Sequence, residues 1–415
     1  MAQLVHIAGA GLAGLSAAVK LASNGIRVCL HEATNQAGGR CRSYYDATLG
    51  MTIDNGNHLV LSGNHTALAF LDKIGARDRL SAPSNANLAF VDLATGENWI
   101  VRPNDGLVSW WILDPKRRVP GTQARDYLSF FHLMRSPENA AVGDVLDCSG
   151  PLYERLTRPL LLAALNTEPR EASAKLAAAV IRETLAAGGR NYRPMIAHTG
   201  LSEAFVEPAL RFIQTNGGTI HFGHRLRRLA FAESRIITLD FGEASVPLTG
   251  DDAVILAIPP AAASALLEDL RVPTEFRSIV NGHFRIKPPH QLAPITGVIN
   301  GTIEWLFAFP DRLSITISNA DRWLETPREQ LAALMWQDVA AVTGIAEAMP
   351  PWQIVRERRA TFAALPQAEA QRPSAVTRWT NLALAGDWTA TELPATIEGA
   401  IRSGNRAADL VSEQA

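Results

Sequence analysis

The sequence predicts an α/β protein: a parallel-sheet domain built from separated stretches of chain, with an α+β domain inserted between them. Three observations support that expectation. A strand, a glycine-rich turn, a helix and a second strand open the chain. A strand, a Gly-Asp turn and a helix close it. Between them lies more chain than one such domain needs, since 415 residues with 47% apolar content can fill two cores. That content, with 19% charged residues, excludes a disordered or collagenous chain. Lys+Arg at 39 against Asp+Glu at 41 leaves a formal charge of −2, so there is no basic excess for nucleic acid. The cysteines Cys29, Cys41 and Cys148 cannot all pair with one another; reduced thiols in a cytoplasmic protein are expected, and no metal site. No apolar run reaches the roughly 18–20 residues of a spanning helix. The stretch from Leu4 to Leu15 is broken by Gly9, Gly11 and Gly14 and follows no basic region, so it does not read as a signal peptide.

Leu4-Val5-His6-Ile7-Ala8 reads as a short strand buried on both faces. Gly9-Ala10-Gly11-Leu12-Ala13-Gly14 follows at once. A helix is expected next, with Leu15, Ala18, Val19, Leu21 and Ala22 on one side and Gly25 past its end. The second strand, Ile26 to Leu30, is closed by Glu32-Ala33. Each position has a physical task. Gly9 permits the tight turn, Gly11 lets a pyrophosphate approach the backbone, and Gly14 lets helix and strand pack closely. Leu12 and Ala13 place free N–H groups and a partial positive charge at the helix start. Glu32 can accept the ribose hydroxyls of an adenosine. Three correctly spaced glycines with a terminal acid mark a Rossmann-like dinucleotide site.

The next residues narrow the dinucleotide. Gly38-Gly39-Arg40-Cys41-Arg42-Ser43 resembles the second signature of the flavin amine oxidase and carotenoid desaturase superfamily. The resemblance implies FAD and an amine-oxidase-like fold. In that setting the glycine pair brings backbone to the pyrophosphate, and Arg40 adds a charge-assisted contact.

The far end matches. Asn381 to Ala385 reads as a strand, Gly386-Asp387-Trp388 ends it, and a helix is expected from Ile397 to about Val411, with Gly399 and Gly404 allowing close approach. The resemblance implies that Asp387 holds the ribityl or pyrophosphate part of FAD. It also implies that the helix start, Thr396-Ile397, faces the flavin pyrimidine, where its dipole favours an anionic reduced ring. Between the two ends, Gly217–Phe222, Leu226–Phe231, Arg235–Phe241 and Asp252–Ile258 read as strands. By the same resemblance these close the FAD sheet and place Leu226 beside the adenine. The expected FAD-binding domain is discontinuous, 1–80, 196–262 and 375–415. The expected substrate-binding domain is 81–195 and 263–374.

Two segments narrow the family. Asp54-Asn55-Gly56-Asn57-His58-Leu59-Val60-Leu61 stands where the superfamily approaches the flavin, and Gly386-Asp387-Trp388-Thr389 leads into Leu393-Pro394-Ala395-Thr396-Ile397-Glu398-Gly399-Ala400. Both closely resemble the squalene-associated FAD-dependent desaturases, the hydroxysqualene dehydroxylases of hopanoid biosynthesis. Asn57 departs from that pattern, which usually has Gln. The resemblance implies a reductive reaction: hydroxysqualene loses its allylic hydroxyl, gains a hydride and becomes squalene. Gly56 and Asn57 are expected at the cofactor. His58 is the candidate acid for the departing hydroxyl, and Asp54 a second, bracing candidate. An oxidative desaturase or amine oxidase of the same fold is the alternative. A non-catalytic isoprenoid-binding protein is a further one, opposed by the intact glycines, Glu32, Arg40 and Asp387.

Leu160 to Leu165 and Trp305-Leu306-Phe307-Ala308-Phe309 are candidates to line an apolar tunnel. Val108-Ser109-Trp110-Trp111-Ile112-Leu113, with Pro115 and then Lys116-Arg117-Arg118, is the candidate membrane contact. A cytoplasmic enzyme docked on the inner face of the membrane is the expectation.

Overall fold

The computed structural model describes residues 4–413. Met1–Gln3 and the last two residues, which the expected boundaries 1–80 and 375–415 take in, lie outside the described residues.

The opening unit forms as the pattern requires. Strand Leu4–Ala8 pairs in parallel with Arg27–His31 on one side and Ala253–Leu256 on the other, so it is central and buried on both faces. Thr219–His221 and Leu382–Leu384 complete a five-stranded parallel sheet. Its strands come from both ends and the middle of the sequence. Alternation divides the faces. Val5, Ile7, Val28 and Leu30 pack under the glycine helix, Leu12–Ser23. His6, Cys29 and His31 face the other way. There His6 Nδ1 lies 3.2 Å from His31 Nε2, and His31 Nδ1 lies 2.8 Å from His224 Nδ1.

The C-terminal helix, Ile397–Glu413, packs along the glycine helix. Gly404 makes this possible: a Cβ there would collide with Ala13 O and Ser16 Oγ. Ser16 Oγ donates to Ala13 O, and Lys20 pairs with Asp409 at 2.7 Å.

One sequence expectation fails here. Leu226–Phe231 and Arg235–Phe241 were expected to close the parallel sheet. Instead Arg228–Ala232, Arg235–Asp240 and Ser245–Pro247 form a separate three-stranded antiparallel ribbon, while Thr219–His221 and Ala253–Leu256 join the main sheet. Short hairpin connections favour antiparallel pairing, whereas a parallel neighbour needs a long crossover.

A seven-stranded sheet takes all its strands from 88–101, 276–317 and 352–362. Arg312–Ile317 shows its logic. Leu313, Ile315 and Ile317 are buried beneath helix Arg328–Thr343, beside Leu331 and Met335. Ser314 and Thr316 point to the opposite face. Asn281 and His283, on the neighbouring strand Phe276–Phe284, share that face through bonds to Thr316 and Ser314. On the same side Trp305, Phe307 and Phe309 join Leu161 and Leu165 in one apolar cluster.

Candidate active site

The glycine turn is fixed by its own backbone. Gly9 has φ +102, and a Cβ there would collide with Ala257 O. A Cβ at Gly14 would collide with Gly9 O. Gly11 differs: nothing lies within 4 Å of its ideal Cβ. The turn is therefore closed where strand and helix meet and open where a ligand would rest. The helix that follows has no side-chain cap and no acidic residue in its first turn, which leaves the N–H groups of Leu12, Ala13 and Gly14 to an anion. The Gly38-Gly39 turn comes in from the side: Gly38 N donates to Ala10 O at 2.8 Å, and an ideal Cβ on Gly39 would lie 3.5 Å from Gly11 Cα.

Glu32 is held by the same turn. Its Oε2 accepts from Ala10 N at 2.9 Å, and its Oε1 accepts from Thr34 N and Oγ1, both at 2.9 Å. Ala33 is exposed beside it. Leu226 is part-buried against the apolar core, two residues beyond His224, whose N–H donates to Glu32 O at 2.8 Å.

The two distant ends meet in an ion pair. Arg40 Nη2 donates to Asp387 Oδ1 at 2.7 Å, and Arg40 Nη1 to Ala360 O at 2.6 Å. Asp387 raises the Arg40 pKa further, against the opposing effect of burial. The Arg40 side chain nonetheless keeps 42% of its exposure, so a charged group in the interior borders open space. A residue that sequence reasoning missed braces the pair: buried Arg372 donates from Nη2 to Asp387 O and to Thr391 Oγ1. Gly386, at φ +146, donates from its N–H to Ser403 Oγ. Thr396 Oγ1 accepts from Gly399 N at 3.1 Å and caps the C-terminal helix, with Ile397 buried behind it. Open space at Gly11, a bare helix start, an accessible guanidinium and a fixed ribose acceptor together fit a dinucleotide.

The Asp54–His58 segment joins this groove to the seven-stranded sheet. Asn57 Nδ2 donates to Thr316 Oγ1 at 3.1 Å, and Thr316 donates to Asn281 Oδ1 at 2.9 Å. Asn281 Nδ2 returns a bond to Asn55 O. The ideal Cβ of Gly56 would lie 3.4 Å from His58 Nε2, so the loop has room for glycine and little more. Asp54 is buried and braces the loop: its Oδ1 accepts from Ser43 Oγ at 2.6 Å and Leu201 N at 2.9 Å. Burial raises its pKa and those hydrogen bonds oppose the rise. His58 is pushed down to about 4, first by burial and then by the Arg40 cation. At neutral pH its imidazole is uncharged.

Asn281, Thr316 and His283 were not singled out from the sequence. Their signal was present: lone polar residues alternating with buried apolar ones in strands. His283 Nδ1 lies 2.7 Å from Ser314 Oγ, while its buried Nε2 has no hydrogen-bond partner among the described residues. Burial holds its pKa down near 3. Glu304, beside the same sheet, accepts from Ser318 N at 2.7 Å, and burial raises it to about 7.

The sequence pattern of the flavin-containing amine oxidoreductases matches residues 12–412. The chain belongs to that family. Within these flavin-containing amine oxidoreductases it is 54% identical to the hydroxysqualene dehydroxylase of Rhodopseudomonas palustris, over 99% of both chains. It is 44% identical to that of Zymomonas mobilis, over 98% of both. Cyclohexylamine oxidase from Brevibacterium oxydans shares the fold at TM-score 0.68 and 18% identity, covering 100% of this chain and 99% of the other. This family member is an FAD-dependent oxidoreductase.

The expected paired membrane contact is corrected. Trp111 is 2% exposed and packs edge-on against Tyr127, with ring centroids 5.3 Å apart. Trp110 is exposed, with Leu107, Val108 and Leu113 around it in the chain. Paired tryptophans in a short 3₁₀ turn cannot share one face, so one goes in and one out.

Proposed function

We propose that this enzyme removes the hydroxyl of hydroxysqualene and replaces it with hydrogen, giving squalene and water. Identity of 54% to a hydroxysqualene dehydroxylase over nearly the whole chain is the observation that supports it most strongly. When bound, the flavin supplies the hydride that the substrate carbon gains. Arg40, Asp387 and the glycine turn hold it, while Asn57, Thr316 and Asn281 tie the Asp54–His58 loop to the sheet above.

His58 acts in this reading as a neutral imidazole. It cannot serve as a standing cationic acid at pH 7, because its pKa is about 4. A neutral ring can still donate one hydrogen bond to a departing oxygen and polarise the C–O bond, while the proton that completes the departing water is taken up from the medium. Trp305, Phe307 and Phe309 keep their side of the sheet dry, which protects an allylic cation from water. His58→Ala should lower turnover about 10²–10³-fold, the loss typical of one such donor, and should keep its flavin. The check is product analysis with hydroxysqualene and a chemical reductant. Unchanged squalene formation would move the role elsewhere.

The substrate also sets the location. A thirty-carbon isoprenoid is collected at a bilayer, and none of the described helices is long and apolar enough to cross one. Leu107, Val108, Trp110 and Leu113, with Leu128 and Phe131 on the segment that follows, form the exposed apolar ridge that docks there. Arg117 stacks over Trp110 at 4.6 Å and brings positive charge to its edge. Trp110→Ala/Leu113→Ala should float less with vesicles while remaining yellow; equal flotation would remove this ridge as the contact.

A further inference from the structure

The docking ridge is continuous with a cleft whose lining is positively charged. The cleft has a volume of about 530 Å³ and opens between the outer edge of the seven-stranded sheet and the Pro115–Pro120 segment. Arg102, Lys116 and Arg118 line it together with Trp99, and no carboxylate does. The guanidinium groups are held by backbone carbonyls rather than by acids: Arg102 Nη1 donates to Lys116 O at 3.2 Å, and Arg118 Nη1 to Ile112 O at 3.1 Å. Asp114, the acidic residue of this segment, accepts from the backbone N–H of Lys116 and so fixes the turn. In the cleft wall, the buried indole Nε1–H of Trp99 finds no acceptor among the described residues. Three cations in one concave site, without a neutralising carboxylate in its lining, repel one another unless an anion enters.

We infer that this cleft is an anion site that receives the headgroup phosphate of an anionic phospholipid. The inference rests on the docking reading and sharpens it. The ridge residue Leu113 and the cleft residues Pro115 and Lys116 belong to one short stretch, so a ridge resting in the interface brings the cleft to headgroup level. Arginine forks suit phosphate oxygens, and lysine adds a point charge. A free phosphate has the same chemistry but no reason to sit beside an exposed apolar ridge.

The test uses the full-length, FAD-loaded enzyme with three probes: phosphatidylcholine vesicles, vesicles of phosphatidylcholine mixed with phosphatidylglycerol, and inorganic phosphate. Wild type should prefer the anionic vesicles. Arg102→Gln/Lys116→Gln should lose that preference by roughly twenty- to thirtyfold, at about fivefold per neutralised charge, with weak binding to neutral vesicles unchanged. Lys73→Gln/Arg211→Gln removes equal charge from helices outside the cleft and should leave the preference nearly intact. An equal loss in that control overturns the site in favour of diffuse charge. Inorganic phosphate that displaces the vesicles at low concentration overturns the lipid assignment in favour of a free-phosphate site. Wild type that binds neither vesicle overturns the docking reading, and this inference with it. Anionic preference intact in Arg102→Gln/Lys116→Gln, with ridge-dependent flotation retained, overturns the cleft alone.

Discussion

The five-stranded sheet and the seven-stranded sheet are joined through the Asp54–His58 loop and the Arg40–Asp387 pair, yet they are specified in opposite ways. The cofactor side depends on backbone. Gly9, Gly14 and Gly404 are required because carbonyl oxygens occupy the space a Cβ would take. The seven-stranded side depends on side-chain alternation, with Asn281, His283, Ser314 and Thr316 set on one face by pairing to distant strands. Backbone constraints are local and leave a sequence motif. Cross-strand constraints are long-range and leave only a period of two.

Substitutions can break that contrast. The largest effect is expected at Gly14. Gly14→Val drives a branched side chain into the Gly9 carbonyl, which cannot yield without opening the turn. We expect a loss of about 3 kcal/mol or more and little flavin in the purified protein. Gly297→Ala in the seven-stranded sheet is the counterpart: its Cβ would lie 2.5 Å from the Phe90 ring, an obstacle of side chain rather than backbone. That variant should stay yellow and lose only about 1–3 kcal/mol. Thermal melts with flavin absorbance compare the two, and equal damage would erase the distinction.

Smaller effects are expected from the charged contacts. Glu32→Ala and Asp387→Ala each remove a hydrogen-bonding carboxylate from the groove and should weaken FAD by about 1.5–3 kcal/mol. Equilibrium dialysis against free FAD measures this. A double variant that retains stoichiometric FAD would mean the groove is misplaced. Asp387→Ala also strands Arg40, so its effect should exceed that of Glu32→Ala.

An effect of similar size per group is expected in pH. His31 and His283 are buried, with pKa values near 3 in the fold, against about 6.5 in an unfolded chain. The unfolded chain therefore binds more protons between those values. The stability due to neutral burial is complete above about pH 6.5 and is lost as pH falls towards 3. By pH 5 each should have lost about 2 kcal/mol. Melting temperature should fall steadily below pH 6. A flat profile from pH 7 to pH 5 would show that these rings are not held neutral.

Legibility follows the same division. The glycine fingerprint, Glu32, the Gly-Gly-Arg turn and the Gly-Asp strand end were readable because each is a short-range demand on φ, space or charge. The Arg40–Asp387 pair then joined segments far apart in the chain, as the resemblance implied. Arg372 escaped notice because an arginine outside a motif has no local mark. The antiparallel ribbon was misplaced because strand patterning gives a strand but not its partner. Trp111 was misread because the fate of an aromatic side chain is decided by what packs on it, here Tyr127.

The central claim is that the groove from Glu32 to Asp387 holds a flavin that reduces, rather than oxidises, an isoprenoid substrate beneath the seven-stranded sheet. Single-turnover mixing under anaerobic conditions tests it most directly. Pre-reduced enzyme mixed with hydroxysqualene should regain the oxidised flavin band and yield one squalene per flavin, with both rates falling together in His58→Ala. Reduced flavin that stays reduced, while oxidised enzyme bleaches on adding the same substrate, would contradict the account.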